Sequence, residues 1–336
     1  MDIHRIDTTE WDSALPASGF DVFHVPAALE VLDRHTAGEL RLLAGYKGDR
    51  PVGLFPLVVQ DRGLGKAVLS PPPSMGVPRL GPLIMPASPK RRKRERLNRR
   101  FTSAAIERVG ADASRSLLRV VCPTAYTDPR PFTWEGLDVE TVFTYSLDTA
   151  GLTSDDLLSS FSKSLRREIR DGLDLGVEVR RDGTEWAERV HEQTAARYRE
   201  QDRSYPLAWD YVSDLTDALA AEDRCRVYTA HSPTGEFLSG ITVLYSNDAA
   251  YFWQGGARAT HDNVSINSLL HWHIIEDVVA DPPRESVTRY DLMGANTERL
   301  CRYKSKFGAD LVPYYVVESS GASMALAKKA YQLVGR

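Results

Sequence analysis

Residues 290–308, YDLMGANTERLCRYKSKFG, tell more about the fold of this chain than any other stretch. The start YDL predicts a short strand, and Gly294 predicts the turn that ends it. The residues from 296 to 306 have the pattern of a helix, one face of which carries Tyr303 and Lys304. The segment therefore places an aromatic ring and a cation just beyond a strand that ends in a glycine turn.

The rest of the chain repeats one order of elements in its two halves. Strands are predicted at 40–46, 51–59, 116–122, 225–230, 237–245, 249–256, 288–292 and 311–317. Helices are predicted at 26–36, 89–109, 154–173, 184–221 with a break at Pro206, 263–280, 296–306 and 322–334. Loops are predicted at 70–82 and 123–141. Each half has two strands split by a polar turn, then a strand or a glycine-containing loop, then a helix. This order and the length of 336 residues predict two domains, 1–150 and 151–336.

Composition indicates a globular protein without a membrane span. The hydrophobic fraction is 42%, and no stretch approaches 18 uninterrupted apolar residues, so no transmembrane segment is predicted. The polar N-terminus predicts no secretory signal. The 3 cysteines are widely spaced and odd in number, which favours reduced thiols and a cytoplasmic location.

Several common catalytic motifs are missing from the sequence. It contains no G-x-S-x-G, H-E-x-x-H, G-x-x-x-x-G-K-[ST] or G-x-G-x-x-G pattern. The most common hydrolase, NTPase and dehydrogenase classes therefore lose support. No cysteine has a partner at zinc-ligand spacing, so no metal site is predicted.

Two segments carry a resemblance to a known family. The pattern Y-D-L-x-G, followed by aromatic-Lys-x-x-aromatic-Gly at 303–308, resembles the C-terminal signature of the FemABX-like acyltransferases of the GNAT fold group. The run FSKSLRREIRD at 161–171 resembles another recurrent stretch of those proteins. The resemblance covers 154–317 well and 1–150 mainly by the order of elements. It implies a mixed α/β (α+β) fold of two tandem GNAT-like domains, each a mostly antiparallel sheet flanked by helices.

The resemblance also implies a chemistry and one catalytic candidate, Lys304, to which the strand-end carboxylate Asp291 adds a second. In GNAT-type transfer the acceptor amine attacks an activated carbonyl directly, without a covalent nucleophile. The signature lysine of FemABX enzymes is proposed to stabilise the developing negative charge, and Lys304 matches it. Asp291 is the second candidate, as an amine ligand or proton acceptor. The alternatives are a solvated lysine at a helix end and a carboxylate that caps the turn or pairs with an arginine.

Substrate-binding candidates lie in three places. Lys163, Arg166 and Arg170 share one face of a predicted helix and would bind an anionic substrate. The alternative is a solvated helix on which Glu168 and Asp171 neutralise these cations.

The other binding candidates surround the loop after the strand 249–256. Trp253 lies on that strand, and Arg258 is the basic residue of the loop. Asn267 opens the following helix and either faces the cleft or is a core or cap residue. Tyr303 completes the set from the C-terminal signature.

The donor and the partners remain open at this stage. GNAT enzymes bind the pyrophosphate of coenzyme A in a Q/R-x-x-G-x-G/A loop, which this chain lacks. This absence favours aminoacyl-tRNA or another activated carrier as the donor, and acyl-coenzyme A is the alternative. The expected acceptor is a small-molecule or lipid-linked amine, and the sequence leaves the oligomeric state undetermined. The basic run 89–100 would bind tRNA or an anionic membrane, or is a solvated helix. Competing functions are an acyl-coenzyme A-dependent N-acetyltransferase and a non-catalytic ligand- or RNA-binding protein of the same fold.

Overall fold

A computed structural model describes residues 1–61, 65–86, 88–110, 116–256 and 259–320. Its strands are β1 (Ile3–Ile6), β2 (Glu39–Lys47), β3 (Arg50–Asp61), β4 (Lys66–Ser70), β5 (Leu83–Ile84), β6 (Ser116–Val121), β7 (Leu137–Asp148), β8 (Glu178–Asp182), β9 (Cys225–His231), β10 (Phe237–Tyr245), β11 (Ala250–Gly255), β12 (Thr260–His261), β13 (Val264–Ser265), β14 (Arg289–Asp291) and β15 (Asp310–Ser319). Its helices are α1 (Thr8–Ala14), α2 (Pro26–His35), α3 (Arg91–Val109), α4 (Arg130–Trp134), α5 (Ser154–Ser160), α6 (Lys163–Asp174), α7 (Ala187–Arg199), α8 (Trp209–Ala220), α9 (Ile266–Ala280) and α10 (Glu298–Lys304).

Most predicted elements are confirmed, and two predictions are wrong. The single helix predicted over 154–173 is two helices, because Phe161 is extended and the Ser162 side chain caps α6. The predicted loop 123–141 contains α4 and the start of β7. The elements β1, α1, β4, β5, β8 and β12 also have no counterpart in the sequence prediction, and β13 lies within the segment predicted as the helix 263–280. The last predicted helix, 322–334, lies outside the described residues.

The chain forms two compact units. Unit 1 is Met1–Val142 with the chain from Pro313, and unit 2 is Phe143–Val312. Unit 1 is therefore discontinuous along the sequence, whereas unit 2 is one continuous segment. The boundaries of the sequence domains 1–150 and 151–336 stay a prediction.

Both units have the same sheet order, as expected for tandem domains. In unit 1 the strands follow the order β1-β2-β3-β4-β6-β15, and in unit 2 the order β8-β9-β10-β11-β14-β7. The first four strands of each are antiparallel, and the fourth pairs in parallel with the fifth, β4 with β6 and β11 with β14. The sixth strand is again antiparallel to the fifth. The predicted mixed, mostly antiparallel sheets flanked by helices are confirmed.

The parallel pair differs between the two units. In unit 1, β4 and β6 pair over five positions, from Lys66 with Ser116 to Ser70 with Val120. In unit 2, β14 pairs with β11 only through Tyr290 and Asp291. Residues 252–255 of β11 run on beyond the end of β14 and have no parallel partner among the described strands. We call this end of the parallel pairing the opening.

An aromatic cluster fixes the helices of unit 2 around this opening. The rings of Phe161 and Trp272 meet edge to face at 5.7 Å, and those of Phe161 and Phe307 at 5.5 Å. All three residues are buried, with Leu165 and Ile169 of α6 in the same core. The segment that follows Lys304 is thereby packed against both α6 and α9.

In unit 1, α3 packs against a notch in the sheet. Gly45 of β2 and Gly53 of β3 are paired in register, and the buried ring of Phe101 lies over both. A methyl group at Gly53 would lie 2.5 Å from this ring. The glycine pair therefore sets how closely α3 approaches the sheet.

We expect Gly53→Ala to destabilise the protein by about 1–3 kcal/mol, because the added methyl overpacks the notch. Urea unfolding gives the free energy. In a Phe101→Leu background the same substitution should cost less, since the clashing ring is gone. An equal cost in both backgrounds would show that the notch is not the cause.

Candidate active site

Lys304 is the last residue of α10, and its side chain is almost completely buried, with 6% of the residue exposed. Its ammonium donates hydrogen bonds to the carbonyl oxygens of Met293 and Gly294, the second at 3.1 Å. The Nζ atom also lies 5.7 Å from the centre of the Phe252 ring. An ammonium has three donors. Two are used by the carbonyls, and among the described residues no hydrogen-bond acceptor takes the third, which can therefore serve a ligand.

The turn that holds this ammonium has an unusual backbone. Met293 and Gly294 have φ values of 57° and 58°, in the left-handed region that a residue with a side chain rarely adopts. The neighbouring Leu292 and Ala295 donate backbone hydrogen bonds of 2.9 Å to carbonyl oxygens of β7. The turn is thus fixed on both sides of its two left-handed residues, and its carbonyls are held ready for a cation.

Asp291 stabilises the same turn through hydrogen bonds. It is 5% exposed, and its Oδ1 accepts hydrogen bonds from Thr144 Oγ1 at 2.6 Å and from the backbone N–H of Met293 at 2.8 Å. The predicted alternative, a carboxylate that caps the turn, is therefore present. Its negative charge also raises the pKa of the Lys304 ammonium.

The low polarity of the site shifts the pKa values of its titratable groups. Burial lowers the pKa of Lys304 to about 8, and the negative charge of Asp291 opposes this change. Burial, with a smaller contribution from the charge of Lys304, lowers the pKa of His271 to about 3. The Nδ1 atom of this neutral imidazole lies 2.8 Å from the hydroxyl of Tyr290. The ammonium of Lys304 is therefore the positive group at the centre of this neighbourhood.

Tyr303 lies beside Lys304 and lines the other side of His271. Its ring centre is 6.1 Å from that of His271 and 5.5 Å from that of Phe307. Its hydroxyl is buried near Ser268 and Glu168, and no hydrogen bond to it forms within the described part of the chain. Burial raises the pKa of this phenol, so it stays protonated at neutral pH.

The three cations predicted on α6 are exposed. Lys163, Arg166 and Arg170 fall within about 60° around the helix axis, and none of them pairs with an acidic group of the described residues. The carboxylates expected to neutralise them have other partners. Glu168 accepts from Ser268 at 2.7 Å and from Lys306 at 2.8 Å, whereas Asp171 pairs with Arg167 at 3.4 Å.

The start of α6 is tied to the segment that carries Lys304. The backbone N–H of Ser162 donates to the carbonyl of Lys306 at 2.8 Å. The cationic face of α6 therefore begins beside the C-terminal signature, although the two are about 140 residues apart in sequence.

Trp253 is the extra residue of a β-bulge. On β10, Thr242 pairs with Gln254 and the next residue, Val243, pairs with Phe252. Successive residues of a strand point to opposite faces, so the bulge directs Phe252 and Gln254 to opposite sides of the sheet. Phe252 meets His271 of α9 at 4.8 Å between ring centres.

Gln254, on the other side of the sheet, contacts α7 and the segment that follows it. Its Nε2 lies 3.0 Å from His191 Nδ1 and donates to the Tyr205 hydroxyl at 2.8 Å. Both partners line a cavity of about 800 Å³, together with Arg199 and Phe237. Gln254 is 3% exposed, and its Oε1 has no hydrogen-bond partner in the described ranges.

Asn267 has a positioning role in the loop after β11. Its Nδ2 donates to the carbonyl of Gly256 at 2.7 Å, and its Oδ1 accepts from Ser239 Oγ at 3.4 Å. The amide thereby joins the start of α9 to the ends of β10 and β11. Arg258, the basic residue predicted in this loop, lies outside the described residues.

The structure thus brings Lys304, Asp291 and Tyr303 together and places Trp253 on the strand beside them. Sequence analysis missed the contributions of Thr144, Phe252 and Gln254. Thr144 belongs to β7, whose start was predicted as a loop. The strand containing Phe252 and Gln254 was predicted, but the bulge that separates their faces has no clear sequence signal.

Two kinds of feature are absent from the described residues. No three His, Cys, Asp or Glu side chains among them are grouped so that they could hold a metal ion. None of the described helices is both long enough and apolar enough to span a membrane.

Comparison with known proteins agrees with this geometry. Residues 159–305 match the model of the acetyltransferase (GNAT) domain family, and this segment contains α6, β11, α9 and Lys304. No curated protein matches the chain in sequence.

Solved structures extend the likeness to the whole chain. FemX has a TM-score of 0.70 at 14% identity, with 100% of both chains covered. The C-terminal domain of a putative lysylphosphatidylglycerol synthetase from Agrobacterium fabrum has a TM-score of 0.54 at 13% identity, covering 97% of this chain and 96% of that one. A tandem GNAT protein from the clavulanic acid biosynthesis pathway has a TM-score of 0.51 at 14% identity, covering 96% and 99%. The tandem GNAT fold is confirmed, and the domain match supports an acyltransferase.

The pH dependence of stability tests the burial of Lys304. Between about pH 8 and the ordinary lysine pKa of 10.5, the folded protein has lost this proton while the unfolded chain retains it. Stability therefore rises with pH across this window, by about 3 kcal/mol for this group. We expect urea titrations to show a difference in the free energy of unfolding, wild type minus Lys304→Met, that rises with pH across this window. A difference that stays constant with pH would contradict a desolvated ammonium.

Proposed function

We propose that unit 2 transfers an acyl or aminoacyl group from an activated carrier to an amine, and that Lys304 stabilises the oxyanion formed in this reaction. The observation that carries the proposal is the buried ammonium of Lys304, which is held by two carbonyls, retains one N–H and lies beside the opening between β11 and β14. A preorganised donor in a site of low polarity stabilises developing charge far better than water does.

The reaction needs no covalent enzyme intermediate. The acceptor nitrogen attacks the carbonyl carbon of the donor, and a C–N bond forms as the carbonyl oxygen gains negative charge. The third N–H of Lys304 donates to that oxygen. The tetrahedral intermediate then collapses, the bond from carbon to the carrier oxygen or sulfur breaks, and the leaving group takes up the proton that the amine loses.

Asp291 is assigned a positioning role. Its carboxylate fixes the turn through Met293 and raises the proton affinity of Lys304. Because burial alone lowers the pKa of Lys304, this negative charge helps the ammonium to remain protonated at neutral pH. Direct proton acceptance by Asp291 is the alternative role for the same carboxylate.

The acceptor amine is proposed to bind in the cavity on the α7 side of the sheet. Gln254 Oε1 is a buried acceptor without a partner in the described residues, so an N–H donor from a ligand would satisfy it. His191, whose pKa is lowered by burial, and Tyr205 hold the Gln254 amide in place. Phe252 of β11 and the ammonium of Lys304, which contacts it, lie on the opposite face of the sheet. The two substrates would therefore meet at the opening next to β11. A small-molecule or lipid-linked amine fits this assignment.

The donor is proposed to be anionic and to contact α6. Lys163, Arg166 and Arg170 present a cationic face without a carboxylate partner among the described residues, which suits the phosphates of aminoacyl-tRNA or of another activated carrier. The match of residues 159–305 to an acetyltransferase domain favours the second candidate, acyl-coenzyme A.

The unpaired thiols Cys122, Cys225 and Cys301 agree with a reducing, cytoplasmic setting.

Lys304→Met should lower kcat by about 10²–10³-fold and change KM little, because the lost interaction forms only in the transition state. Lys304→Arg should keep part of the activity, since the charge remains with altered geometry. Lys306→Met is the matched control, because Lys306 lies two residues after Lys304 and pairs with Glu168. Full kcat in Lys304→Met, with either candidate donor, would overturn the catalytic assignment.

Melting curves with each donor test the α6 face. A donor at 100 times its Kd should stabilise the protein by about 2.7 kcal/mol, equivalent to a shift of several degrees. Arg166→Ala with Arg170→Ala should remove most of this shift, and in turnover assays it should raise KM more than it lowers kcat. Arg167→Ala, which removes an arginine paired with Asp171, is the control.

The same experiment separates the two donors. A shift with charged tRNA that fades as salt rises would identify phosphate contacts. A salt-tolerant shift with acetyl-coenzyme A and none with tRNA would identify an ordinary acyl-coenzyme A N-acyltransferase. If Arg166→Ala with Arg170→Ala shifts as much as the wild type with either donor, the face has no part in donor binding.

A further inference from the structure

We propose that unit 1 docks on membranes that contain anionic phospholipid, through a surface centred on α3. This surface, the basic face, consists of Arg92, Lys93, Arg96, Arg99 and Arg100. The inference does not rest on the proposed reaction, because none of these residues belongs to unit 2.

The basic face is a compact stripe of uncompensated charge. At about 100° per residue, its five side chains fall within about 120° around the axis of α3. All five are exposed, and none forms an ion pair with the described part of the chain. Outside this stripe, Arg91 and Arg130 pair with Glu95, and Arg130 also pairs with Asp128. Arg94 lies about 100° beyond the stripe and, like its five residues, is exposed without an ion pair to the described residues. Positive charge without a carboxylate partner is therefore greatest on the basic face.

A cavity beside the basic face has the size and lining for a lipid headgroup. Its volume is about 420 Å³. Its cationic lining comes from Lys47, Lys93, Arg94, Arg96 and Arg100, and no carboxylate of the described residues lines it. Met1, Val52, Pro86 and Leu97 supply apolar walls. A phosphate would meet the cations while the adjoining glycerol and acyl carbons meet the apolar walls.

Two exposed apolar side chains flank the basic face. Trp134 of α4 is 52% exposed, and the guanidinium carbons of Arg99 and Arg130 lie 5.5 and 5.6 Å from its ring centre. Met1, in the wall of the cavity, is 42% exposed. Tryptophan is favoured at the boundary between headgroups and acyl chains, where nearby lysine and arginine meet lipid phosphates.

These features favour a membrane over RNA as the partner. A base-stacking platform needs a free aromatic face, whereas guanidinium groups already lie over the ring of Trp134. A mixed lining of cations and apolar walls suits a phospholipid, which has both a charged and an apolar part.

Vesicle sedimentation tests the proposal with the full chain. We expect binding to phosphatidylcholine vesicles that contain about a third phosphatidylglycerol, and little binding to phosphatidylcholine alone. Arg96→Ala with Arg100→Ala should weaken this binding about 30-fold, because each cation near an anionic surface contributes a factor of roughly five. Arg108→Ala with Arg180→Ala removes the same charge from exposed positions outside the basic face and should leave binding within about threefold of the wild type.

Tryptophan fluorescence gives a second readout that does not depend on the charge variants. Adding the anionic vesicles should shift the wild-type emission to shorter wavelength, and Trp134→Phe should remove this shift. Equal binding to neutral and anionic vesicles, or equal losses in the two double variants, would overturn the proposal. Binding of tRNA that depends on Arg96 and Arg100, without vesicle binding, would also overturn it and assign the basic face to RNA.

Discussion

The contact between the Lys304 ammonium and the carbonyls of Met293 and Gly294 organises the candidate site of unit 2. A buried charge is costly unless polar partners compensate it. Here two left-handed residues turn their carbonyls toward the ammonium, and Asp291 fixes the turn through its hydrogen bond to Met293. The same contacts that stabilise the charge leave one N–H for a ligand. Structure and proposed chemistry therefore depend on one compensated cation.

The two units show why a shared sheet order does not give a shared function. In unit 1 the ends of the parallel strands are bridged, since Leu80 donates to the carbonyl of Val121 at 3.0 Å and Gly81 donates to Ser70 Oγ at 3.0 Å. The loop that carries them is anchored by the buried pair of Arg79 and Asp21, at 2.8 Å. In unit 2 the corresponding strands pair at two positions only, because β14 ends at Asp291. Closure in unit 1 and opening in unit 2 place the proposed transfer in unit 2.

The sequence predicted the fold better than it predicted the site. Strong strand and turn patterns identified the paired hairpins β2–β3 and β9–β10, and their repetition pointed to tandem domains. The turn around Gly294 and the position of Lys304 followed from one short motif. The bulge at Trp253 and the hydrogen bond from Thr144 to Asp291 did not. Both depend on strand pairing between distant segments, and a local pattern carries no information on register.

The distance between Lys304 and a bound donor tests this account most directly. A crystal structure with a non-transferable analogue of the donor would provide it. The account predicts that the carbonyl oxygen of the analogue lies about 2.7–3.1 Å from Lys304 Nζ, beside β11 beyond the end of β14. An analogue bound with its carbonyl out of reach of Lys304, or bound in unit 1, would contradict it.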